Sequence, residues 1–291
     1  MFLQLLLNGI CASSLFAISA LGFSLVYNTT NIFHFAFGAI YTATAYLFYL
    51  FYISLGLPQI ISIILSLLIS ALLGVLIDLI VYQKIENKLN SPLAVLISSL
   101  GAYLFIINFI ALLAGNEVKI IEKGITQTFQ IGSLIITKYQ LISLITFILI
   151  FLLFLIFKKS KLGQILLGFS FNPKLIEVLG YNPNFIRIFV FVTSSILTGI
   201  ASIISGFDVG FDPYVGLSVV LISSVALIIG GVKIFEGAIL GSFLIGVLQS
   251  IVIWKLSARW VDSFVFLLFI IFLLFKPNGI LGKKLRVEEI K

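Results

Sequence analysis

The first 77 residues contain no Asp, Glu, Lys or Arg; the first charge met along the chain is Asp78. No water-soluble domain can be built that way, because its solvated face has nothing to present. The rest of the sequence agrees: 61% of the 291 residues are hydrophobic and 10% are charged, where an ordinary soluble domain carries about 25% charge. So much apolar side chain also excludes disorder. At about 20 residues per crossing, the length allows roughly eight to ten membrane helices and no separate soluble domain. Residues 1–291 are therefore read as one transmembrane domain. The N-terminal apolar run has no basic region before it, so it reads as a retained helix and not a cleaved leader.

Nine apolar segments are predicted: Phe2–Tyr27, Gly38–Leu57, Pro58–Tyr82, Pro92–Ala114, Tyr139–Phe157, Phe185–Gly206, Tyr214–Gly231, Gly237–Trp254 and Trp260–Phe275. Several are rich in Ile, Val and Phe, yet they must be helices, since an open sheet leaves its backbone unsatisfied in lipid. The expected fold is an all-α polytopic transmembrane bundle of about eight to nine spans. The stretch 117–138 differs, with β-branched residues punctuated by Gly124 and Gly132. It predicts a short β-hairpin outside the membrane.

Charge sets the expected orientation. If the C-terminus and the 158–184 loop are cytoplasmic, thirteen of the 18 basic residues lie inside, and only Lys119, Lys123, Lys138, Lys255 and Arg259 lie outside. That satisfies the positive-inside rule, and the reverse orientation breaks it. The same rule explains the net charge of +7 without any nucleic-acid partner. Nine crossings then put the N-terminus outside. The segment Asn28–Gly38, NTTNIFHFAFG, leaves two alternatives: a cytoplasmic turn, or a broken stretch buried in protein that would change the crossing count.

Catalytic signatures are missing. There is no GxxxxGK[ST] phosphate loop, no GxSxG nucleophile motif, and one histidine and one cysteine, Cys11, which leave no disulfide and no multi-histidine metal site. No catalytic and no metal-binding residue is expected. The acids Asp208, Asp212, Glu236 and Asp262 fall at predicted helix ends, and Asp78 is placed about one turn before the end of its helix. None sits at a predicted bilayer midplane, which speaks against a proton relay. If a solute crosses, its energy comes from another subunit.

The loop Ser160–Phe185 has clear helix grammar. Asn172 suits the N-cap and Pro173 the first helical position. Lys174, Leu175, Ile176, Glu177, Val178 and Leu179 make about two turns, Gly180 fits the left-handed position past the end, and Asn182-Pro183 blocks continuation. So apolar a loop helix either docks another protein or lies on headgroups or the bundle.

Four ordered stretches now carry a family resemblance: NGICASSLFAISALGFSLVYNTTNIFHFAFG (Asn8–Gly38), SPLAVLISSLGAYLFIINFIALLAG (Ser91–Gly115), LGQILLGFSFNPKLIEVLGYN (Leu162–Asn182), and IIGGVKIFEGAILGSFLIGVLQS (Ile228–Ser250) with KPNGILG (Lys276–Gly282). Together they resemble the permease subunits of bacterial branched-chain (hydrophobic) amino acid ABC importers. The resemblance implies a multi-pass protein of the bacterial inner membrane, with the C-terminus cytoplasmic. It implies three kinds of partner besides the lipid bilayer: a second permease, homologous or identical; two cytoplasmic ATPases that bind ATP and Mg, this chain holding no cofactor; and an extracytoplasmic solute-binding protein. Residues Asn172–Gly180 become the ATPase-coupling element. Urea or short amides are an alternative cargo, and an ion-driven secondary carrier is the alternative machine.

The family turn NFAHGE is replaced here by His34-Phe35-Ala36-Phe37-Gly38-Ala39. Asn31, His34, Phe35, Phe37 and Gly38 are the candidates for the translocation path, which would be more apolar than in the family at large. The coupling loop has Leu167 at the family's basic position and Gly168 where Ala is common. Gly230, Gly231, Gly237 and Gly241 read as close helix packing rather than a hinge. Trp254 and Trp260 read as interfacial anchors. The acidic loop Gly206–Pro213 reads equally as a contact for the binding protein or a solvated turn, and the hairpin either rests on the binding protein or caps the bundle.

Overall fold

The computed structural model describes residues 2–122, 127–132 and 134–282, and within them the chain is a helical bundle with one small antiparallel sheet. Gly124, Lys123 and the basic residues beyond 282 lie outside the described residues. Helix α1 (Phe2–Thr30) is followed by α2 (Ala36–Tyr49), which runs on as a π-helical turn, Leu50–Ser54. Next come α3 (Gln59–Ile77), a second π turn (Asp78–Tyr82), α4 (Gln83–Leu89) and α5 (Pro92–Ala114). Strands β1 (Thr128–Ile131) and β2 (Leu134–Thr137) pair with Ile131 opposite Leu134. Then follow α6 (Lys138–Lys159), α7 (Lys161–Phe171), α8 (Pro173–Val178) and α9 (Pro183–Asp208). The last three are α10 (Val215–Gly230), α11 (Phe235–Lys255) and α12 (Val261–Phe275).

Eight of these helical runs are long and apolar enough to cross a membrane, and α10 is a shorter apolar helix. Each of the nine expected apolar segments falls on a helix, with edges close to those read from the sequence. One expectation is corrected. Asp78 does not stand one turn from the end of its helix, because the π turn hands over directly to α4 and the run continues to Leu89. The polar stretch QKIENKL, past the expected end at Tyr82, is helical, and Asn90, left-handed at φ 42°, ends it. The hairpin is also shorter than the predicted 117–138. Its strands occupy 128–137, while Lys119 forms an isolated bridge with Phe211.

The path of the chain fixes the relation between its ends. Near the start of α1, the Gln4 amide donates to the Ile135 carbonyl at 2.7 Å and accepts from the Ile135 N–H at 2.8 Å, so it acts as an edge partner for β2. Near the other end of α1, Asn28 Oδ1 accepts from the Lys233 N–H at 2.9 Å, in the α10–α11 turn. That end also holds the C-terminal turn, whose Ile280 and Leu281 N–H groups donate to the carbonyls of Ile229 and Gly230 at 2.8 and 3.0 Å. These bonds satisfy carbonyls that the end of α10 would otherwise orphan. The described chain therefore begins at the hairpin end and finishes at the opposite end, as an odd number of crossings requires.

Helices α1, α2, α9 and α10 form the interior. Thirteen of the 26 residues of α9 are buried, against Val265 alone in α12 and Tyr139, Ser143 and Phe154 in α6. The interior approaches are made by small residues. A Cβ on Gly237 would lie 2.7 Å from the Gly230 carbonyl, and one on Gly241 would collide with that of Ala226, so α10 and α11 touch backbone to backbone. Gly231, at φ 117°, packs against the C-terminal turn.

Candidate functional site

Two helices of the interior begin inside the bundle rather than at its surface. The segment 31–35 between α1 and α2 is irregular: Asn31 is exposed and left-handed at φ 56°, but Ile32 and His34 are buried. The first N–H of α2, on Ala36, donates to Ser99 at 3.3 Å. Ser99 lies about 10 Å along α5 at 1.5 Å per residue, so α2 starts at that depth. Its partner is α10. Phe211 meets the rings of Tyr46 and Tyr49 near the hairpin end. Five residues later Gly216 is level with Gly38 at the start of α2. A Cβ on Gly38 would sit 2.8 Å from the Gly216 carbonyl carbon, and one on Gly216 would strike the Gly38 carbonyl. With 16 residues, α10 spans about 24 Å, less than the ~30 Å hydrocarbon core. The stretch between α1 and α2 is broken and mostly buried in protein, with Asn31 exposed, and α1 and α2 remain two separate helices.

Behind the break lies a polar chain that the sequence reading did not assemble. His34 is 1% exposed, and its Nδ1 shares a 2.6 Å hydrogen bond with the Tyr82 hydroxyl. That hydroxyl is 2.8 Å from Ser99 Oγ. His34 Nε2 has no hydrogen-bond partner among the described residues. Rings of Phe37, Tyr82 and Phe191 surround the imidazole. Tyr82 closes the π turn that Asp78 opens. Asp78, 1% exposed, accepts from Arg187 Nε at 2.7 and 2.9 Å and from Gln83 at 2.9 Å. The same guanidinium donates to Glu86 at 2.6 Å. A buried carboxylate demands such pairing, since an isolated one costs far more than it returns.

A signal for this arrangement was present. Ser62, Ser66, Ser70, Gly74, Asp78 and Tyr82 recur every four residues in an otherwise Leu- and Ile-rich run, and all are buried. The stripe faces α2 and α9: Thr44 and Ser70 are 2.5 Å apart, and a Cβ on Gly74 would meet Ser195. A four-residue spacing drifts around a 3.6-residue helix. The π turn, a form frequent at functional sites, occupies the far end of that stripe.

Of the five residues proposed for the path, the structure brings His34, Phe37 and Gly38 together in the interior, Phe35 half-buried beside them, and Asn31 exposed at the edge. At the same end of the bundle lie α7 and α8. Asn172 caps α8 by accepting from the Leu175 N–H at 3.1 Å, Pro173 opens it, and Gly180 is left-handed at φ 88°. Only Ile176 of α8 is buried, against Phe169 and Ile186. Leu175, Val178 and Leu179 are 54%, 83% and 62% exposed. Gly168 lies under Ile176, where a Cβ would come within 2.9 Å of its flexible Cδ1 end. Helix α7 was not foreseen; Ser160 caps it by accepting from the Gly163 N–H at 3.2 Å.

Comparison with known proteins agrees over nearly the whole length. The family model described as branched-chain amino acid transport system / permease component matches residues 5–274. The high-affinity branched-chain amino acid transport system permease protein BraD of Pseudomonas aeruginosa is 28% identical, over 99% of this chain and 98% of its own. The corresponding protein LivH of Salmonella typhimurium is 26% identical over the same shares, and that of Escherichia coli strain K12 is 25% identical. Among solved structures, a chain of PsaBC from Streptococcus pneumoniae in complex with Fab superposes with a TM-score of 0.56 at 18% identity, covering 96% of this chain and 93% of that one. That likeness concerns the fold. With the family model spanning residues 5–274, the chain belongs to the permease components of branched-chain amino acid transport systems.

Proposed function

We propose that this chain is the membrane-spanning permease subunit of an ABC importer for branched-chain or other hydrophobic amino acids. The observation that carries the reading is the end-to-end match to permeases named for that transport. The machine would hold a second permease, homologous or identical, two ATPases that bind ATP and Mg on the cytoplasmic side, and an extracytoplasmic binding protein. The distribution of Lys and Arg supports an inner-membrane orientation with α7, α8 and the C-terminus cytoplasmic.

In this reading, Asn172–Gly180 is the ATPase-coupling element. Three large apolar side chains exposed on a capped helix and its C-cap, Leu175, Val178 and Leu179, support it, because such a patch at the bundle's end calls for a cover. Displacement of α8 would pass through Ile176 to Ile186, through the neighbouring Arg187 to Asp78, and along the π turn through Tyr82 to His34. It would arrive at the break before α2. Asn31 and Phe35 would face the path there, with His34, Phe37 and Gly38 setting its shape from behind.

The test is uptake of labelled leucine by proteoliposomes holding the permeases, ATPases and binding protein, with and without internal ATP. ATP-dependent uptake is expected, and Leu175→Asp with Glu177→Arg should abolish it while membrane insertion persists. Uptake by this chain alone on an ion gradient, indifferent to that double substitution, would overturn the proposal.

A further inference from the structure

At the hairpin end a cavity of about 160 Å³ opens between α1, α6 and α9 and runs along α1 from Asn8 to Ser19, roughly 16 Å of helix. Its mouth carries Asn8, Gln140 and Asp208, its walls Leu15 and Phe16, and its deep end Tyr41, one turn above the Gly38–Gly216 contact. The volume is close to that of an engineered cavity of about 150 Å³ known to hold one benzene, the scale of a single small amino acid.

The hydrogen bonds already made determine what the mouth has left to offer. Asn8 Oδ1 accepts from Gln4 at 3.1 Å. Gln140 Oε1 accepts from the Thr137 N–H at 3.1 Å. Both amides therefore turn their oxygens to the protein and keep their NH2 groups as spare donors. Asp208 Oδ1 accepts from the Thr137 hydroxyl at 3.2 Å, and no cation lies within ion-pair distance of it among the described residues. One rim thus presents two donors and one uncompensated carboxylate above an apolar shaft. That pattern complements a carboxylate, an ammonium and an aliphatic side chain on one carbon.

We infer that this cavity is a solute subsite within the permease, in which a zwitterionic amino acid sets its α-ammonium against Asp208, its carboxylate against the Asn8 and Gln140 amides, and its side chain against Leu15 and Phe16. The inference rests on the importer reading for the choice of leucine as probe. It assigns specificity for the zwitterion to this chain as well as to any binding protein. Asn8 and Gln140 are half-buried and Asp208 is exposed at the rim, so a molecule lacking the carboxylate leaves two half-buried donors unpaired, and one lacking the ammonium forgoes the attraction of the exposed carboxylate.

Cys11, the single cysteine, lines the same cavity and provides the readout. In the assembled transporter, the rate of Cys11 modification by a small methanethiosulfonate would be measured with leucine, with 4-methylpentanoate (leucine without its ammonium) and with neither. Leucine should slow modification by more than about tenfold at saturation, 4-methylpentanoate should slow it less, and Asp208→Asn should weaken the protection by leucine, as loss of one member of an exposed charge pair does. Asp208→Glu should retain part of it. Equal protection by both compounds, no protection, or a thiol inert in both the ATP-free and the ATP-trapped complex overturns the subsite. ATP-driven leucine uptake with an unprotected Cys11 would sink the subsite and leave the importer standing. Protection without ATP-driven uptake would do the reverse.

Discussion

Helix α9 and the run Ala258–Phe275, which contains α12, are both apolar and long enough to cross a membrane, yet they hold opposite places. In α9, buried positions include Ser194, Ser195, Thr198, Gly199 and Ser202. In α12, the sequence is almost wholly Phe, Leu, Ile and Val, and Leu273, Leu274 and Phe275 are exposed. In water, the most apolar helix would be the most buried. Here lipid is as apolar as leucine, so hydrophobicity does not draw helices together, and close packing and interhelical hydrogen bonds do. Small and polar residues thus mark the interior, and the greasiest helices mark the shell.

If that contrast is right, the largest loss of stability should follow from disturbing the ion pair that joins α3 to α9. Arg187→Leu leaves Asp78 buried without its partner and should cost about 3–5 kcal/mol, measured by reversible unfolding in bicelles. Asp78→Leu with Arg187→Leu should recover much of that. A double variant as unstable as the single one would show that the pair is not what holds these helices together. Next in size, Gly38→Val drives a branched side chain into the Gly216 backbone, and overpacking of this kind costs roughly 1–3 kcal/mol. It should also stop uptake, since α2 and α10 would have to part. Full activity would break the view that the crossing of these two helices is fixed.

Smaller again is the effect expected at the break itself. His34→Phe keeps the ring among Phe37, Tyr82 and Phe191 but withdraws the hydrogen-bond partner at 2.6 Å from the Tyr82 hydroxyl. A cost of about 1 kcal/mol is expected, because Ser99 remains as a second partner for that hydroxyl. Uptake should fall by more than the stability change explains if His34 transmits movement from α8. If uptake follows stability alone, His34 is packing.

The sequence made the spans legible because each is bounded by something physical. Pro92 after a capping Ser91, Thr137 before α6, and Asn182-Pro183 before α9 all set starts within a residue or two. The end at Leu89 is hard to read because QKIENKL has only two apolar residues, Ile85 and Leu89, too few to extend a helix inferred from apolar length. The coupling helix was legible from its caps alone. The relay from Arg187 to His34 was not, because its members are separated by 101 to 109 residues on one side and 48 on the other. Only a fold brings such residues together. What the sequence held was the four-residue stripe on α3, which says that this face is interior without saying what it meets.

The smallest expected effects lie in the shell, and they are the most useful for finding what is missing from a single chain. Leu112, Leu113, Leu274 and Phe275 are 82%, 70%, 73% and 83% exposed. If lipid covers them, replacing any with Ala exchanges one apolar surface for another and should change stability by less than ~0.5 kcal/mol. A second permease must nevertheless rest on some part of this shell in the proposed importer. Where it does, truncation removes packing between protein surfaces, and the cost should rise to the values seen in interiors, about 2–5 kcal/mol for a large side chain. An alanine scan along the outward faces of α5, α6 and α12 in the assembled complex would therefore show a mostly silent surface with one contiguous sensitive stripe. Sensitivity scattered over all three helices would mean that the division into interior and lipid-facing shell is wrong.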